Sequence, residues 1–158
     1  MKDKTQSETK RFPMKQINNN GRKYKEIDGK VAIFDYLRKK YVILTPEEEV
    51  RQGIVDYLIF KKNYPRTLIK LETGLNYNSL NMRSDILVYD NQANPFLLVE
   101  CKAKDVKIDQ KVIEQATRYN LTLNARYVCI TNGVSTFCFE KNETSYLQLN
   151  SFPDFTAR

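Results

Sequence analysis

The chain has 158 residues, with 26 Lys plus Arg against 19 Asp plus Glu, three Cys, no His, no Trp and 41% hydrophobic content. That describes one globular domain, too short for a motor or a polytopic membrane protein, yet able to bury about 70% of its unfolded surface without disulfides. The missing imidazole excludes a Ser-His-Asp triad, a Cys-His pair and His-based zinc sites, so any catalysis must use carboxylates, lysine, tyrosine, cysteine or an oxygen-held metal.

A formal charge of +7 favours a polyanionic partner, because each phosphate neutralised by Lys or Arg releases condensed counterions. A well-solvated basic surface would give the same number. Cys101, Cys129 and Cys138 sit in apolar runs without CxxC spacing, as reduced core thiols do. The start of the chain, with Lys2, Asp3 and Lys4, develops no apolar leader, and no stretch reaches 18 apolar residues. The expected location is the cytoplasm, with no membrane partner.

Residues 1–28 are polar and lack an apolar period, so they read as a flexible arm ahead of a domain at 29–150, with 151–158 as a loose tail. Val31 to Phe34 is a short strand, followed by the basic cluster Arg38, Lys39 and Lys40 and an apolar piece at Tyr41 to Leu44. Thr45-Pro46-Glu47-Glu48 then opens a helix. Thr45 is its N-cap, Pro46 its first residue, and Glu48 stands where a capping box needs it. Val50, Ile54, Tyr57 and Leu58 keep helical spacing to about Lys62, where Asn63 and Pro65 stop it.

Leu68 to Leu71 and Ser84 to Tyr89 read as strands, and Glu72 to Met82 as a loop region that would set substrate choice. Asp90 to Pro95 is a turn. Phe96 to Lys102 is an apolar run that breaks into charge only at its end, the pattern of a strand covered on both faces. Asp109 caps a second helix reaching Leu123, with Asn124 as a left-handed stop. Arg126 to Thr131 and Val134 to Phe139 flank Asn132-Gly133, which predicts a tight type I′ hairpin, and Tyr146 to Leu149 adds an edge strand. The order predicts one α/β sandwich with a mixed sheet. No Walker A or GxGxxG sequence is present, so nucleotide-driven work is not expected.

Side chains alternate along a strand, so Glu100 and Lys102 share a face while Cys101 points away. If the strands around the turn pair antiparallel, the start of the first lies beside the end of the second, and Asp85 meets Glu100. Two carboxylates brought together repel unless protonated or bridged by a cation. Mg²⁺ is the natural bridge, taking one or two carboxylates together with water, a carbonyl and substrate phosphate. Lys102 would then orient the attacking water and face charge developing on phosphate.

Such a triplet also arises as a solvated ion pair, but Phe96-Leu97-Leu98-Val99 directly precedes it, where unpaired charge is costly. Glu47-Glu48-Glu49 is either part of this centre or simple complement to a helix dipole. Gln115 and Tyr119, four apart with Arg118 beside them, form either a DNA-contacting face or part of an ordinary amphipathic helix.

Taken together, Leu44 to Gln52, Arg83 to Tyr89, Leu98 to Ala103, Gln115 to Tyr119 and Thr131-Asn132-Gly133 resemble the PD-(D/E)xK nuclease superfamily. More narrowly, they resemble the nuclease domain at the amino terminus of type I restriction enzyme R subunits. The resemblance covers roughly residues 30–140. It implies a restriction-endonuclease-like mixed sheet flanked by helices and a Mg²⁺-dependent deoxyribonuclease in which Mn²⁺ can substitute.

It further implies Asp85, Glu100 and the Cys101 backbone carbonyl as metal ligands, Lys102 as catalytic lysine, and a supporting helix carboxylate. That carboxylate is Glu47 or Glu48, with Glu48 preferred from its distance to Val50-Arg51-Gln52. Gln115, Tyr119, Arg118 and Arg83 would contact DNA, with Arg38, Lys39, Lys40 and Lys104 gathering backbone phosphates. A separate motor or specificity subunit, or a second copy of the chain, are the further partners it suggests. The rival expectations are a non-catalytic nucleic-acid-binding module of the same fold and a repair-type nuclease.

Overall fold

The computed structural model describes the backbone of residues 21–77 and 80–156, and the side chains within that span except those of 75–82. Three short strands open it: β1 (Tyr24–Ile27), β2 (Lys30–Asp35) and β3 (Lys40–Ile43), paired as an antiparallel meander. Order thus begins ahead of the expected boundary at residue 29. Tyr24 finds a cross-strand partner in Ile33, which a polar single strand read alone cannot reveal. Residues 1–20 of the expected arm lie outside the described residues.

Helix α1 (Pro46–Asp56) begins where expected, because the Thr45 side chain accepts from the Glu48 N–H at 3.1 Å and three carboxylates fill the first turn. The Glu48 side chain does not close the capping box; it turns inward to Arg38, Arg51 and Gln52. A π-helical turn over Tyr57–Lys61 ends the helix at Lys62, with Asn63 left-handed at φ 56°.

The main sheet has six strands in sequence order: β4 (Ile69–Tyr77), β5 (Leu80–Tyr89), β6 (Pro95–Cys101), β7 (Tyr127–Thr131), β8 (Thr136–Lys141) and β9 (Tyr146–Leu149). Every neighbouring pair is antiparallel except β6 and β7, which are parallel and joined by α2 (Gln110–Leu123). The mixed sheet expected from the sequence is present. β4 and β5 extend well past the predicted strands into a long hairpin, so most of the expected Glu72 to Met82 loop is strand, while 78 and 79 lie outside the described residues.

Alternation along β5, β6 and β7 divides the interior in two. Ile86, Val88, Leu97, Val99, Cys101 and Cys129 face Val50, Val55 and Leu58 of the first helical segment. Leu87, Leu98, Val128 and Ile130 face Ala116, Tyr119 and Leu123 of α2. Cys129 and Cys138 oppose each other across β7 and β8, and all three cysteines are free and buried. Asp109 caps α2 by accepting from the Val112 N–H at 3.1 Å, and Asn124 ends it at φ 60°, both as expected.

Two expectations fail locally. The β7–β8 connection is a four-residue loop rather than a two-residue type I′ turn, because Thr131 pairs with Thr136. The Asn132 side chain accepts from the N–H groups of Val134 and Ser135 at 2.9 and 2.7 Å, and in this loop only Gly133 has positive φ. The expected loose tail is packed as far as Phe155, while 157 and 158 lie outside the described residues. Phe152 joins the core, Phe155 packs on Phe96 at 5.4 Å, and the Tyr64 hydroxyl donates to the Pro153 carbonyl at 2.7 Å. Aromatic burial anchors a segment whose polar neighbours disguise it. No helix among the described residues is long and apolar enough to cross a membrane.

Candidate active site

Pairing of Ile86 with Val99 fixes the register of β5 against β6, and one further step brings Asp85 opposite Glu100 at the open end of the hairpin. Alternation puts Glu100 and Lys102 on the face away from buried Cys101. The Lys102 amine lies 3.3 Å from Glu100 Oε1. Asp85 is held from both sides. Its Oδ2 accepts from the Cys101 N–H at 2.7 Å, and its Oδ1 takes the Arg51 Nη2 at 2.8 Å.

The crowding has an electrostatic signature. Burial pushes the Glu100 carboxyl up to about 7, the Asp85 carboxylate beside it adds to the rise, and Lys102 offsets part of it. Glu100 therefore keeps its proton towards neutrality, the cost of burying its charge outweighing the relief from Lys102. Glu47 is likewise raised, first by burial and then by the Asp85 charge, with Arg51 and Lys102 opposing. Its carboxyl therefore lies within electrostatic reach of Asp85 and Lys102.

Glu48, the neighbouring candidate, occupies a different environment. Its two oxygens are taken by Arg38 and Arg51, with Gln52 Nε2 at 2.9 Å, and the residue is buried. The placement follows from the helix: one position along turns the side chain by about 100°, from the mouth of the site to its inner wall.

This inner wall is a charge network that the sequence reading missed. Arg38 binds Asp35 at 2.7 Å, Glu72 at 3.0 Å and Glu48; Arg51 binds Glu48, Asp85 and, at 3.5 Å, Glu72. Burial works to raise the Asp35 pKa, but hydrogen bonds from Arg38 and Gln52 outweigh it and hold the carboxyl below its ordinary value. Glu72 is held at φ 48°, inside strand β4. Left-handed backbone at a glutamate costs energy that its two arginine partners offset. The spacing of Arg51 from Glu47 and Glu48 was visible as helical neighbours, whereas its reach to Asp85 was not.

On the α2 side, Arg83, Glu100, Lys102, Gln115, Arg118 and Tyr119 line one cleft of about 320 Å³. The Tyr119 hydroxyl is buried beside Ser84, whose own hydroxyl is turned to the Thr73 carbonyl at 3.2 Å, and makes no hydrogen bond of standard geometry. Burial raises its pKa, with Ser84 opposing. Arg83 and Arg118 are exposed at the rim. Among the other basic residues expected to gather phosphate, Arg38 is committed to three carboxylates, Lys104 lies 3.4 Å from Glu49, and Lys39 and Lys40 are exposed.

Residues 46–153 match the family model described as type I restriction enzyme R protein N terminus (HSDR_N). The chain belongs to this family. Among curated proteins no match to the chain is found. The fold resembles a fragment assigned to the HsdR subunit of a type I restriction enzyme from Vibrio vulnificus YJ016, with a TM-score of 0.53 and 19% identity. The likeness covers 70% of this chain and 24% of that one, so the chain corresponds to about a quarter of that fragment. The family match begins at α1 and takes in Asp85, Glu100, Lys102, Gln115 and Tyr119, while β1 to β3 lie ahead of it.

Whether the family's R protein N-terminal site suits a hard divalent ion can be asked of the donors themselves. Among the described residues no group of three or more Cys, Asp or Glu is arranged to hold a metal alone. Two carboxylates remain, each Asp85 oxygen accepting one hydrogen bond and retaining a lone pair. Two carboxylates, with Glu100 opening on a cleft, are donors of the kind Mg²⁺ takes when it completes its shell with water and phosphate, and Arg51 already offsets the Asp85 charge.

Proposed function

We infer that this R protein N-terminal domain is a metal-dependent nuclease module acting on DNA. One observation carries the reading: the strand register sets Asp85 opposite Glu100 at a strand end with the Lys102 amine 3.3 Å from Glu100, where burial first and the Asp85 charge second push the Glu100 carboxyl up to about 7. A surface evolved only to hold a polyanion gains nothing from two acids facing it.

Asp85, Glu100 and the Cys101 carbonyl would hold Mg²⁺ or Mn²⁺, with Glu47, rather than the enclosed Glu48, as the helix carboxylate at the mouth. The bound ion would supply acidity to water and charge to offset that on the scissile phosphate. Lys102 orients the attacking water and faces the developing negative charge. Arg83 and Arg118 draw the backbone into the cleft, and Gln115 lies at its wall. Tyr119 lines the same wall with its hydroxyl buried. Cytoplasmic DNA is the substrate, and a motor or specificity subunit is the partner that the family kinship suggests.

The test is nicking of supercoiled plasmid by the full chain with Mg²⁺, Mn²⁺ or EDTA. Lys102→Ala is the informative variant, since its ion pair is with Glu100 and the side chain is 26% exposed. Nicking should fall at least a hundredfold, on the order of the loss expected for one catalytic group, with the melting temperature retained. Equal nicking by both proteins would overturn the assignment. Arg51, which already gives Asp85 a permanent counter-charge, favours the second reading of a non-catalytic binding module. Salt-sensitive DNA binding without product in any metal would select it.

A further inference from the structure

Residues that share a row across the amino-terminal meander share a face, and the rows Lys25–Ala32–Ile43, Phe34–Tyr41 and Ile27–Lys30 define one face of it. The opposite face, through Asp35, turns to Gln52 of α1. The first face is covered by rings. Phe34 meets Tyr36 at 5.1 Å and Tyr41 at 5.2 Å, both edge to face, and the Lys25 ammonium stands 4.1 Å over Tyr41. None of these rings belongs to either hydrophobic core. Tyr36 is 37% exposed and Ile43 36%, with Lys25 and Lys30 exposed beside them.

The charge on this sheet is one-sided. Between Arg22 and Ile43 the chain has seven basic residues and three acidic ones, of which Arg22 and Arg38 are paired with carboxylates at Asp56 and on the inner face. Asp35 is consumed by Arg38 and Gln52 on the inner face, and Glu26 pairs with Val31 in an inner-face row. The ring-bearing rows contain two lysines and no carboxylate. The surface meets the active-site groove at its edge. Ile43 of the ring-bearing rows lines an open groove that reaches Glu47 and Ala103 beside the carboxylate centre, while Lys40 and Val42, which also line it, belong to the opposite rows.

We propose that the outer face of β1 to β3 is a binding platform for an unpaired DNA strand, carrying a flank of the substrate towards the Asp85 and Glu100 centre. Aromatic faces accept any base, and lysines at the margin meet the phosphates between them. Duplex DNA cannot use the rings, because its bases are already stacked on each other. The proposal rests on the nuclease reading and extends it to strand form and path.

The experiment uses the full chain in EDTA, so that binding is read without cleavage. A labelled 20-mer of thymidine should bind more tightly than a duplex of equal length. The double variant Tyr36→Ala, Tyr41→Ala should lose roughly tenfold or more in single-strand affinity, the scale of one to two lost base stacks. Circular dichroism checks the fold of the variant. Photo-crosslinking of wild type to an oligonucleotide containing 5-iodo-deoxyuridine gives a readout that needs no variant, and adducts should fall on Phe34, Tyr36 or Tyr41.

Adducts confined to α2 and the Arg83 cleft would overturn the platform. So would a concentration-dependent dimer abolished by the double variant with no adducts on the rings, because the face would then pair two copies. Adducts on the rings with no nicking under any metal would leave the platform standing and remove the nuclease. Nicking with no adducts there would do the reverse.

Discussion

Replacing Glu100 by Gln tests the electrostatics of the centre without touching its shape. In the metal-free chain Glu100 holds its proton up to about 7, through burial and the Asp85 charge, whereas an unfolded glutamate releases it near 4.3. Between those values the folded state binds the proton that the unfolded state has lost, so stability falls as pH rises through the window. The Glu100 contribution is fully present below about pH 4.3 and gone above about pH 7. A shift of that size corresponds to a ceiling of about 4 kcal/mol. With the side chain 27% exposed, solvent screening reduces this, to about 2 kcal/mol.

The amide of Glu100→Gln resembles the protonated acid at every pH, so the variant should match wild type near pH 4 and exceed it by about 2 kcal/mol at pH 8. Urea denaturation in EDTA at the two values is the assay. Parallel stability profiles for the two proteins, or a wild type that gains on the variant as pH rises, would refute the account of a raised Glu100 carboxyl.

Two further outcomes follow from the same geometry. On the proposed function Mn²⁺ would have to displace the Glu100 proton, so its affinity by calorimetry should climb roughly tenfold per pH unit below pH 7 and level off above it; a flat profile would mean the ion binds elsewhere. Arg51→Met strands Glu48 and Asp85 in a buried setting and should cost about 3–5 kcal/mol, read as a fall in melting temperature of about 10 °C; a change under about 1 kcal/mol would show that the network contributes little to the fold.

What was legible in the sequence follows the range of the interaction concerned. Thr45, Pro46, Asp109 and Asn124 act within one helical turn, so α1 and α2 begin and α2 ends where local chemistry dictates. The meeting of Asp85 with Glu100 was readable because one turn and a period of two fix it. The failures are non-local. β1 exists through pairing with β2, Phe152 and Phe155 are anchored by the core, with Tyr64 and Phe96 against Phe155 from far along the chain, and the Asn132 turn is set by the register of Thr131 with Thr136.

The arginine network belongs to the second class, and it has a consequence for how the site is built. Arg51 touches carboxylates from α1, β4 and β5, and Arg38 touches Asp35 of β2, Glu48 of α1 and Glu72 of β4. Glu48 and Glu72 are common to both arginines, so the amino-terminal meander is tied to the strand that holds Asp85 through charge pairs as well as through Leu37, which packs on the core. Buried pairs of this kind contribute little net stability compared with apolar packing, yet they fix geometry, because each partner lost leaves another charge uncompensated. Asp85 therefore has one orientation while the meander is in place. Displacing β1 to β3 would release Arg38, free Glu48 and Glu72 to compete for Arg51, and loosen the hold on the carboxylate that faces Glu100.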